Sequence, residues 1–499
     1  MASTGTGPAR ERDATSARAG MVLATVCLCQ LVVVLDISVV NVALPEIGRD
    51  LGFAPGGLSW VVNAYTLVFG GLLLLGGRIA DLVGHRRAMV AGLALFGVAS
   101  LLGGFAQTPG QLVAARAGQG LAAAVLAPIS LTVIMVTFAE GAARRRALGS
   151  WTMVAISGGA VGVLLGGVLT DLLDWRWVMF VNVPLVAAAL PMALAAVPAG
   201  GGGGSRRLDL GGAVLGTAAM AVFVFGLLET EEHAWGSPRT LGTLGAAVLL
   251  AAAFVRWERR SAAPLVRLGI LRTRTVWLAN ALSLLVGAAT VAGFYFASLF
   301  LQQVLGYGPL RAGVAFLPFC AGAVLGSFVA SRLAGRVDGR LLIGGGLVLG
   351  GLGLLWFGRL HPDSTFLSGF LGPSLVASVG IGLSLMASTA MGTSGVASGE
   401  AGLVSGLLNA SRQCGGSIGL AALSTLAVAL TRDASTVDPR AALAEGYAGA
   451  FLVIGACALA AALLALLFVP APNAQDAPAA DPPDAPAPTT YTPNAPDPS

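Results

Sequence analysis

The chain has 499 residues, of which 56% are hydrophobic and 11% are charged, and its mean hydropathy is +0.82. A water-soluble domain of this composition could not cover its own surface with polar groups, so we expect lipid to surround most of the chain. The composition therefore argues against a soluble enzyme, a nucleic-acid-binding protein and a disulfide scaffold. All 29 basic residues are arginine, so neither a Walker A lysine nor a Schiff-base lysine can exist, and we expect no ATP hydrolysis and no cofactor or metal.

A helix needs about 20 mostly apolar residues to cross the hydrocarbon core of a bilayer. The sequence contains fourteen such segments, which predicts an all-α integral membrane protein. In chain order the predicted spans are 20–43, 58–76, 88–106, 111–136, 147–170, 176–197, 210–229, 240–256, 276–301, 311–331, 341–360, 366–389, 402–430 and 447–469. Because their number is even, both termini are predicted to lie on one side.

The distribution of arginine predicts which side that is. The loops on the N-terminal side of the predicted membrane hold 20 arginines and the opposite loops hold 7, while Arg116 and Arg412 fall inside spans. Loops rich in basic residues stay in the cytoplasm, so we predict a multi-pass protein of the plasma membrane with both termini cytoplasmic. The first span is too long for the apolar region of a signal peptide and is predicted to be an uncleaved helix.

Two ionisable residues stand out within the predicted spans. Asp36 lies in the first span and Arg116 lies near the start of the fourth. A charge at membrane depth is costly and is a functional candidate by default. If the two helices are neighbours, the side chains can neutralise each other, either as a static structural pair or as a proton-sensitive pair that lines a cavity.

The thirteenth predicted span carries a polar stripe of Asn409, Arg412, Gln413 and Gly416, spaced so that all four lie on one helix face. Such a face is directed towards the protein interior or towards water, where it can bind a ligand or join helices. Both interpretations remain open. Further candidates for the lining of a substrate cavity are Asn41, Asn63, Tyr65 and Gln119.

Glycines in the fifth predicted span also share one stripe. Gly158, Gly162 and Gly166 are four residues apart, and Gly167 follows them. Small residues at this spacing allow two helix backbones to approach closely. The stripe fits a moving interface and a static packing contact equally well.

The segment GRIADLVGHRR, residues 77–87, joins the second and third predicted spans. It resembles the signature loop of the major facilitator superfamily. RAGQG from Arg116 is similar to the Arg-x-x-Gln-Gly element of the same superfamily. LDISVVNVALP from Leu35, WRWVMFVNVP from Trp175 and SGLLNASRQCGGSIG from Ser405 are similar to motifs of its fourteen-helix drug:proton antiporter branch, the EmrB/QacA-like transporters. The signature-loop match is carried by Gly77, Asp81, Gly84, Arg86 and Arg87.

The resemblance implies a major facilitator fold of two six-helix bundles with two inserted helices. The implied segments are a cytoplasmic N-terminal segment (1–19), the first bundle (20–197), a linker with the inserted helices (198–275), the second bundle (276–469) and a disordered cytoplasmic tail (470–499). It further implies a monomer that exports small hydrophobic drugs or antibiotics in exchange for protons by alternating access. Asp36 and Arg116 are the implied coupling pair, and the signature loop is the implied gate.

Some positions depart from the pattern of that branch. His85 replaces the commoner basic residue, Val163 follows Gly162 where antiporters commonly have proline, and Gly335 replaces the acid in the repeat of the signature loop. The alternative function is an importer or facilitator of another small solute, against which Asp36 and the extra helix pair argue. A membrane enzyme would need a dense catalytic constellation, which three scattered histidines do not supply.

Overall fold

The structure is a computed structural model that describes residues 8–54, 57–138, 141–198, 209–231, 233, 235–262, 264–265, 269, 273–333, 336–393, 401–436 and 438–469. Only the main chain is described at residues 8–17, 80–81, 142, 145, 156, 231, 368, 390, 393 and 401–403. Residues 199–208 of the predicted linker and the predicted tail (470–499) lie outside the described residues.

The described chain is helical and contains no β-strand. Its α-helices are α1 (Pro8–Leu51), α2 (Ser59–Val83), α3 (His85–Gly104), α4 (Pro109–Thr137), α5 (Ala142–Leu172), α6 (Trp177–Phe180), α7 (Asn182–Ala196), α8 (Leu210–Leu228), α9 (Pro238–Glu258), α10 (Arg274–Leu299), α11 (Pro309–Ala315), α12 (Leu317–Leu333), α13 (Gly339–Phe357), α14 (Gly372–Thr393), α15 (Ala401–Asp433) and α16 (Pro439–Phe468). A 3₁₀ turn (Glu229–Glu231) follows α8, and π-helical turns extend α10 (Phe300–Val304) and precede α14 (Phe366–Leu371).

Fourteen helical segments of the described chain are long and apolar enough to cross a membrane, which confirms the predicted number. The short α6 and α7 together make the sixth span, and α11 and α12 make the tenth. Lipid offers no hydrogen-bond partner to the backbone, so each span must satisfy its own N–H and C=O groups as a helix. Large apolar side chains cover the outside, as at Leu249 and Leu367, which are 72% and 74% exposed.

The first helix is longer than the predicted span at 20–43. Its apolar part runs from Arg18 to Leu51, and it ends at Gly52, where φ is +68°. A left-handed residue at this position ends a helix, and glycine adopts that conformation without steric cost. The hydropathy pattern predicted only the part of the helix that lies in the hydrocarbon core. The helix itself continues beyond that part until Gly52 ends it.

Contacts between helices form two groups. The first contains α1 to α7, with α1 packed on α4, α5 and α7, and α2 packed on α4. The second contains α10 to α16, with α10 packed on α15 and α13 packed on α14 and α16. The groups meet where α2 contacts α15, α5 contacts α11 and α12, and α1 contacts α10.

The pair α8 and α9 lies beside both groups, because α8 contacts α2 and α15. The Thr425 hydroxyl donates a hydrogen bond to the Leu227 carbonyl over 3.1 Å. At the other end of α8, Asp209 accepts hydrogen bonds from the Gly212 N–H and the Trp257 indole. Burial raises the pKa of Asp209, but these bonds and the nearby Arg78 outweigh it, and the pKa lies below its usual value.

Candidate functional site

Asp36 lies at the centre of a buried polar network inside the first helix group. Its side chain has no solvent exposure, and its Oδ2 accepts a hydrogen bond from Arg116 Nη1 over 2.5 Å. Its Oδ1 accepts from Gln119 Nε2 over 2.9 Å and from Asn182 Nδ2 over 2.8 Å. Three helices therefore meet at one carboxylate, because α1 supplies Asp36, α4 supplies Arg116 and Gln119, and α7 supplies Asn182. A fourth helix, α2, is joined to this site through Arg116.

Arg116 is held on every side. Its Nε donates to the Val61 carbonyl of α2 over 3.0 Å, and its Nη1 also donates to Gln119 Oε1 over 2.8 Å. The guanidinium carbon lies 4.5 Å from the centre of the Tyr65 ring, a cation–π contact. A buried guanidinium is tolerated when it has a counter-charge and hydrogen bonds, and Arg116 has both.

Sequence reasoning missed two members of this network. Asn182 donates to Asp36, and Ser100 accepts from Gln119 over 2.8 Å. Both are neutral polar residues within apolar helices, where they are too common to stand out. Asn182 lies inside the segment WRWVMFVNVP, residues 175–184, and its membership of this segment was the one available signal.

A cavity of about 330 Å³ lies between the two helix groups. The candidates Asn41 and Arg412 line it, together with Ser38, Thr66 and the aromatic residues of α10 and α12. The other lining residues are Ile37, Val62, Ala155, Gly159, Thr290, Val291, Phe294, Phe319, Cys320, Ala323, Val324, Ser327, Ile381, Gly382 and Leu385. Cavities of about 300–1,000 Å³ hold drug-sized ligands.

Asp36 does not line this cavity, but the wall is its immediate neighbour. Ile37 and Ser38 follow Asp36 on α1 and face the cavity, and Val62 follows Val61, whose carbonyl accepts from Arg116. The structure thus contains the predicted ion pair of Asp36 and Arg116. The pair lies behind the residues that form the cavity wall.

The remaining cavity candidates lie elsewhere. Tyr65 and Gln119 belong to the buried network. Asn63 is fully buried, and neither of its amide atoms has a hydrogen-bond partner in the described part of the chain. Asn409 accepts a hydrogen bond from Arg412 over 2.6 Å. Gln413 packs against α2, where its Cβ lies 2.7 Å from the position that a side chain on Gly70 would take.

The two helix groups are joined at the end predicted to be extracellular. The Ser298 hydroxyl donates to the Asn41 carbonyl, and Gln302 Nε2 donates to the Val42 carbonyl, each over 2.8 Å. A Cβ added to Gly167 would lie 2.7 Å from the Pro309 carbonyl oxygen, so α5 and α11 touch through their backbones. Beyond these contacts lies a second cavity of about 500 Å³, lined by Arg49, Arg432 and other residues of the outer helix ends.

The glycine stripe of α5 serves two different contacts. Gly162 and Gly166 lie against the backbone of Leu35 and Val39 in α1, and Gly158 lies against side chains of α1, all within the first group. Gly167 lies one residue further and meets α11 of the second group. In this structure Gly158, Gly162 and Gly166 therefore pack within the first group, and Gly167 makes the contact between the groups.

The signature loop is a one-residue turn. Gly84 alone separates α2 from α3, and its φ of +93° lies in the region that favours glycine. Gly77 lies within α2 against Pro128. Arg86 Nη1 reaches the Leu194 carbonyl at 3.5 Å, and Arg87 is exposed. The side chain of Asp81 lies outside the described residues. Among the side chains described, no three His, Cys, Asp or Glu gather as a metal site.

Comparison with known proteins gives consistent matches. The chain is 44% identical to the cephamycin export protein of Amycolatopsis lactamdurans over 91% of its own length and 93% of that protein. It is 40% identical to the puromycin resistance protein of Streptomyces alboniger over 82% of each chain. The crystal structure of a bacterial homologue of the human lysosomal transporter Spinster, in an inward-facing and unoccupied conformation, matches 90% of this chain and 96% of that one, with a TM-score of 0.61 and 17% identity.

The family model of the Major Facilitator Superfamily matches residues 26–420, most of the chain. The fourteen apolar helices agree with a multi-pass membrane protein of this kind. The chain therefore belongs to the Major Facilitator Superfamily, whose members are membrane transporters of small molecules and not enzymes.

Proposed function

We propose that this protein exports drugs or antibiotics across the plasma membrane in exchange for protons. The observation that carries the proposal is a drug-sized cavity between two helix groups, with a buried carboxylate directly behind its wall. The relatives support the direction of transport, since one is an export protein and the other a resistance protein.

Transport follows from the arrangement of the two cavities. In the proposed cycle, substrate enters the central cavity from the cytoplasm while the Asn41–Ser298 and Gly167–Pro309 contacts hold the outer side shut. The two helix groups then rock, the outer contacts separate, and the substrate leaves through the second cavity. The signature loop from Gly77 to Arg87, which carries Asp81 and Arg86, is proposed to close the inner side.

Proton coupling is assigned to Asp36 and Arg116. Of the described buried acids, Asp36 lies at mid-span, whereas Asp209 and Glu258 lie at the ends of α8 and α9. In this state the Asp36 carboxylate and the Arg116 guanidinium form a salt bridge. In the proposed cycle, rocking moves α1 away from α4 and breaks this salt bridge, and a proton then replaces Arg116 as the partner of Asp36. Because α1 also forms the cavity wall, the presence of substrate and the position of Asp36 are linked.

The remaining features of the proposal concern location. The arginine distribution supports cytoplasmic termini. The transporter is proposed to act as a monomer, since the central cavity is built within one chain.

The experiment is transport in a host that lacks its own exporters. Expression should raise resistance to a panel of apolar antibiotics, and inside-out vesicles should accumulate the same compounds only while a proton gradient is imposed. Asp363→Asn, an acid-to-amide change at an exposed position, serves as the control and should behave as the unmodified protein. Accumulation that survives collapse of the proton gradient would contradict proton exchange. Uptake into intact cells would show an importer instead.

A further inference from the structure

The central cavity contains a positive charge that has no negative partner among the described residues. Arg412 lies in its wall, and no Asp or Glu is among the lining residues. We propose that Arg412 binds the carboxylate of an anionic, amphipathic substrate, so that the exporter prefers small organic acids. This inference rests on the proposed export function and adds the chemical class of the substrate.

The hydrogen bonding of Arg412 is incomplete. One bond, to Asn409 Oδ1, is formed over 2.6 Å, and no carboxylate of the described chain lies within ion-pair distance. A guanidinium has five N–H donors. The remaining donors therefore have no protein acceptor in the described structure, and the side chain is directed at the cavity.

Arg116 provides the internal comparison. It lies in the same membrane, and it has an ion pair with Asp36, two further hydrogen bonds and an aromatic ring beneath it. Arg116 thus shows what a satisfied guanidinium requires here. Of these kinds of contact, Arg412 has one hydrogen bond in the described structure, the bond to Asn409. Burying a cation without a counter-charge is costly. A mobile anion that enters the cavity would supply the missing partner.

The backbone of Arg412 is fixed, which suits a binding group. Gly287 of α10 lies directly against the main chain of Arg412, so α10 and α15 touch at this position. The guanidinium is therefore presented from a packed helix pair. A preorganised guanidinium can donate two parallel hydrogen bonds to the two oxygens of a carboxylate in a forked geometry.

The other residues that line the central cavity favour an amphipathic organic anion as the ligand and not a simple inorganic anion. Phe294 and Phe319 contact each other edge to face in the wall, with centroids 5.9 Å apart. Hydroxyl groups of Ser38, Thr66 and Ser327 add scattered polar positions. An inorganic anion would leave this apolar surface unfilled, whereas an organic acid covers it and pairs with Arg412.

The test is equilibrium binding to the full-length protein in lipid nanodiscs. The probes are N-dansyl-phenylalanine, a carboxylate, and its methyl ester, which has the same ring system and no charge. The unmodified protein should bind the carboxylate at least tenfold more tightly. Arg412→Gln should weaken carboxylate binding by about 10- to 100-fold, as expected for a charge-assisted bond, and should change ester binding less than threefold. Ester binding also reports that the variant is folded.

Two further variants sharpen the result. Arg412→Lys keeps the charge but not the fork and should recover part of the preference. Arg359→Gln removes an exposed arginine and should bind both probes as before. Equal affinity of the unmodified protein for the two probes, failure to bind the carboxylate, or equal losses for both in Arg412→Gln would overturn the proposal. Competition by acetate as strong as that by N-acetyl-phenylalanine would overturn the amphipathic part.

The two proposals fail separately. Drug export without any preference for the carboxylate would refute the anion site and leave the exporter intact. Carboxylate binding through Arg412 in a protein that exports neither a compound of the panel nor the dansyl carboxylate would refute the export function alone.

Discussion

Asp36→Asn distinguishes a coupling carboxylate from a structural one. The change keeps the shape of the side chain but removes the charge that faces Arg116 over 2.5 Å. It also replaces one acceptor oxygen by an NH₂ group, although Arg116, Gln119 and Asn182 all donate to Asp36. At least one donor then faces another donor.

The size of the effect follows from burial. Asp36 has no exposure and Arg116 has 1%, so the change leaves a guanidinium uncompensated inside the protein. Breaking a buried ion pair on one side costs about 3–5 kcal/mol in the free energy of unfolding. The double variant Asp36→Asn with Arg116→Gln removes both charges and should recover most of that loss, which gives a large interaction energy in a double-mutant cycle.

The assay combines thermal unfolding with drug-induced proton release, measured with a pH dye on the same purified samples and normalised to folded protein. If Asp36 takes part in proton exchange, release is lost in the single and in the double variant, although the double variant is stable. If the pair is only structural, the double variant regains proton release along with its stability. Normal proton release from the double variant would refute the coupling role.

Two glycine contacts give further predictions, with Gly110→Ala, which meets no atom within 4 Å, as their control. Gly167→Leu should hold α5 and α11 apart and favour the outward-open state. An impermeant maleimide added outside should then label Cys320 in the central cavity faster. Unchanged labelling would contradict the role of the α5–α11 contact in closing the outer side. Gly120→Ala places a Cβ 2.5 Å from the Tyr65 carbonyl oxygen, so the free energy of unfolding should fall by about 1–3 kcal/mol, and an unshifted melting curve would count against this packing.

The parts of the structure that local chemistry controls were predictable. Fourteen apolar segments gave fourteen spans, because each must satisfy its backbone alone. The meeting of Asp36 and Arg116 across 80 residues was predictable for a similar reason, since an isolated charge in lipid is too costly.

The parts that depend on the choice of neighbouring helix were not predictable. The pattern of polar residues on one helix identifies the face that is turned away from lipid. That face can be directed at the interior of its own bundle or at the cavity between the bundles, and the pattern does not distinguish the two. Gln119 was therefore expected in the cavity and lies in the buried network, while Arg412 does line the cavity. Likewise Gly166 packs within its group and Gly167 packs across, although the two are adjacent in sequence. Neutral side chains such as Gln302 gave no signal at all.

An anionic substrate would change how the membrane potential acts on transport. Each elementary charge moved across 100 mV corresponds to about 2.3 kcal/mol. If one proton enters for each molecule exported, a neutral substrate moves one charge, whereas a monovalent anion leaving an inside-negative cell moves two. The limiting concentration ratio should therefore rise about 40- to 60-fold per 100 mV for a neutral compound and by about three orders of magnitude for an anion, at about 1.4 kcal/mol per tenfold. A potassium diffusion potential across proteoliposomes, without a pH gradient, measures this with the dansyl carboxylate and its ester. Accumulation of the carboxylate should respond to the potential twice as steeply on a logarithmic scale. Equal slopes for the two compounds would contradict export of the charged form, because Arg412 would then be binding an acid that crosses the membrane protonated.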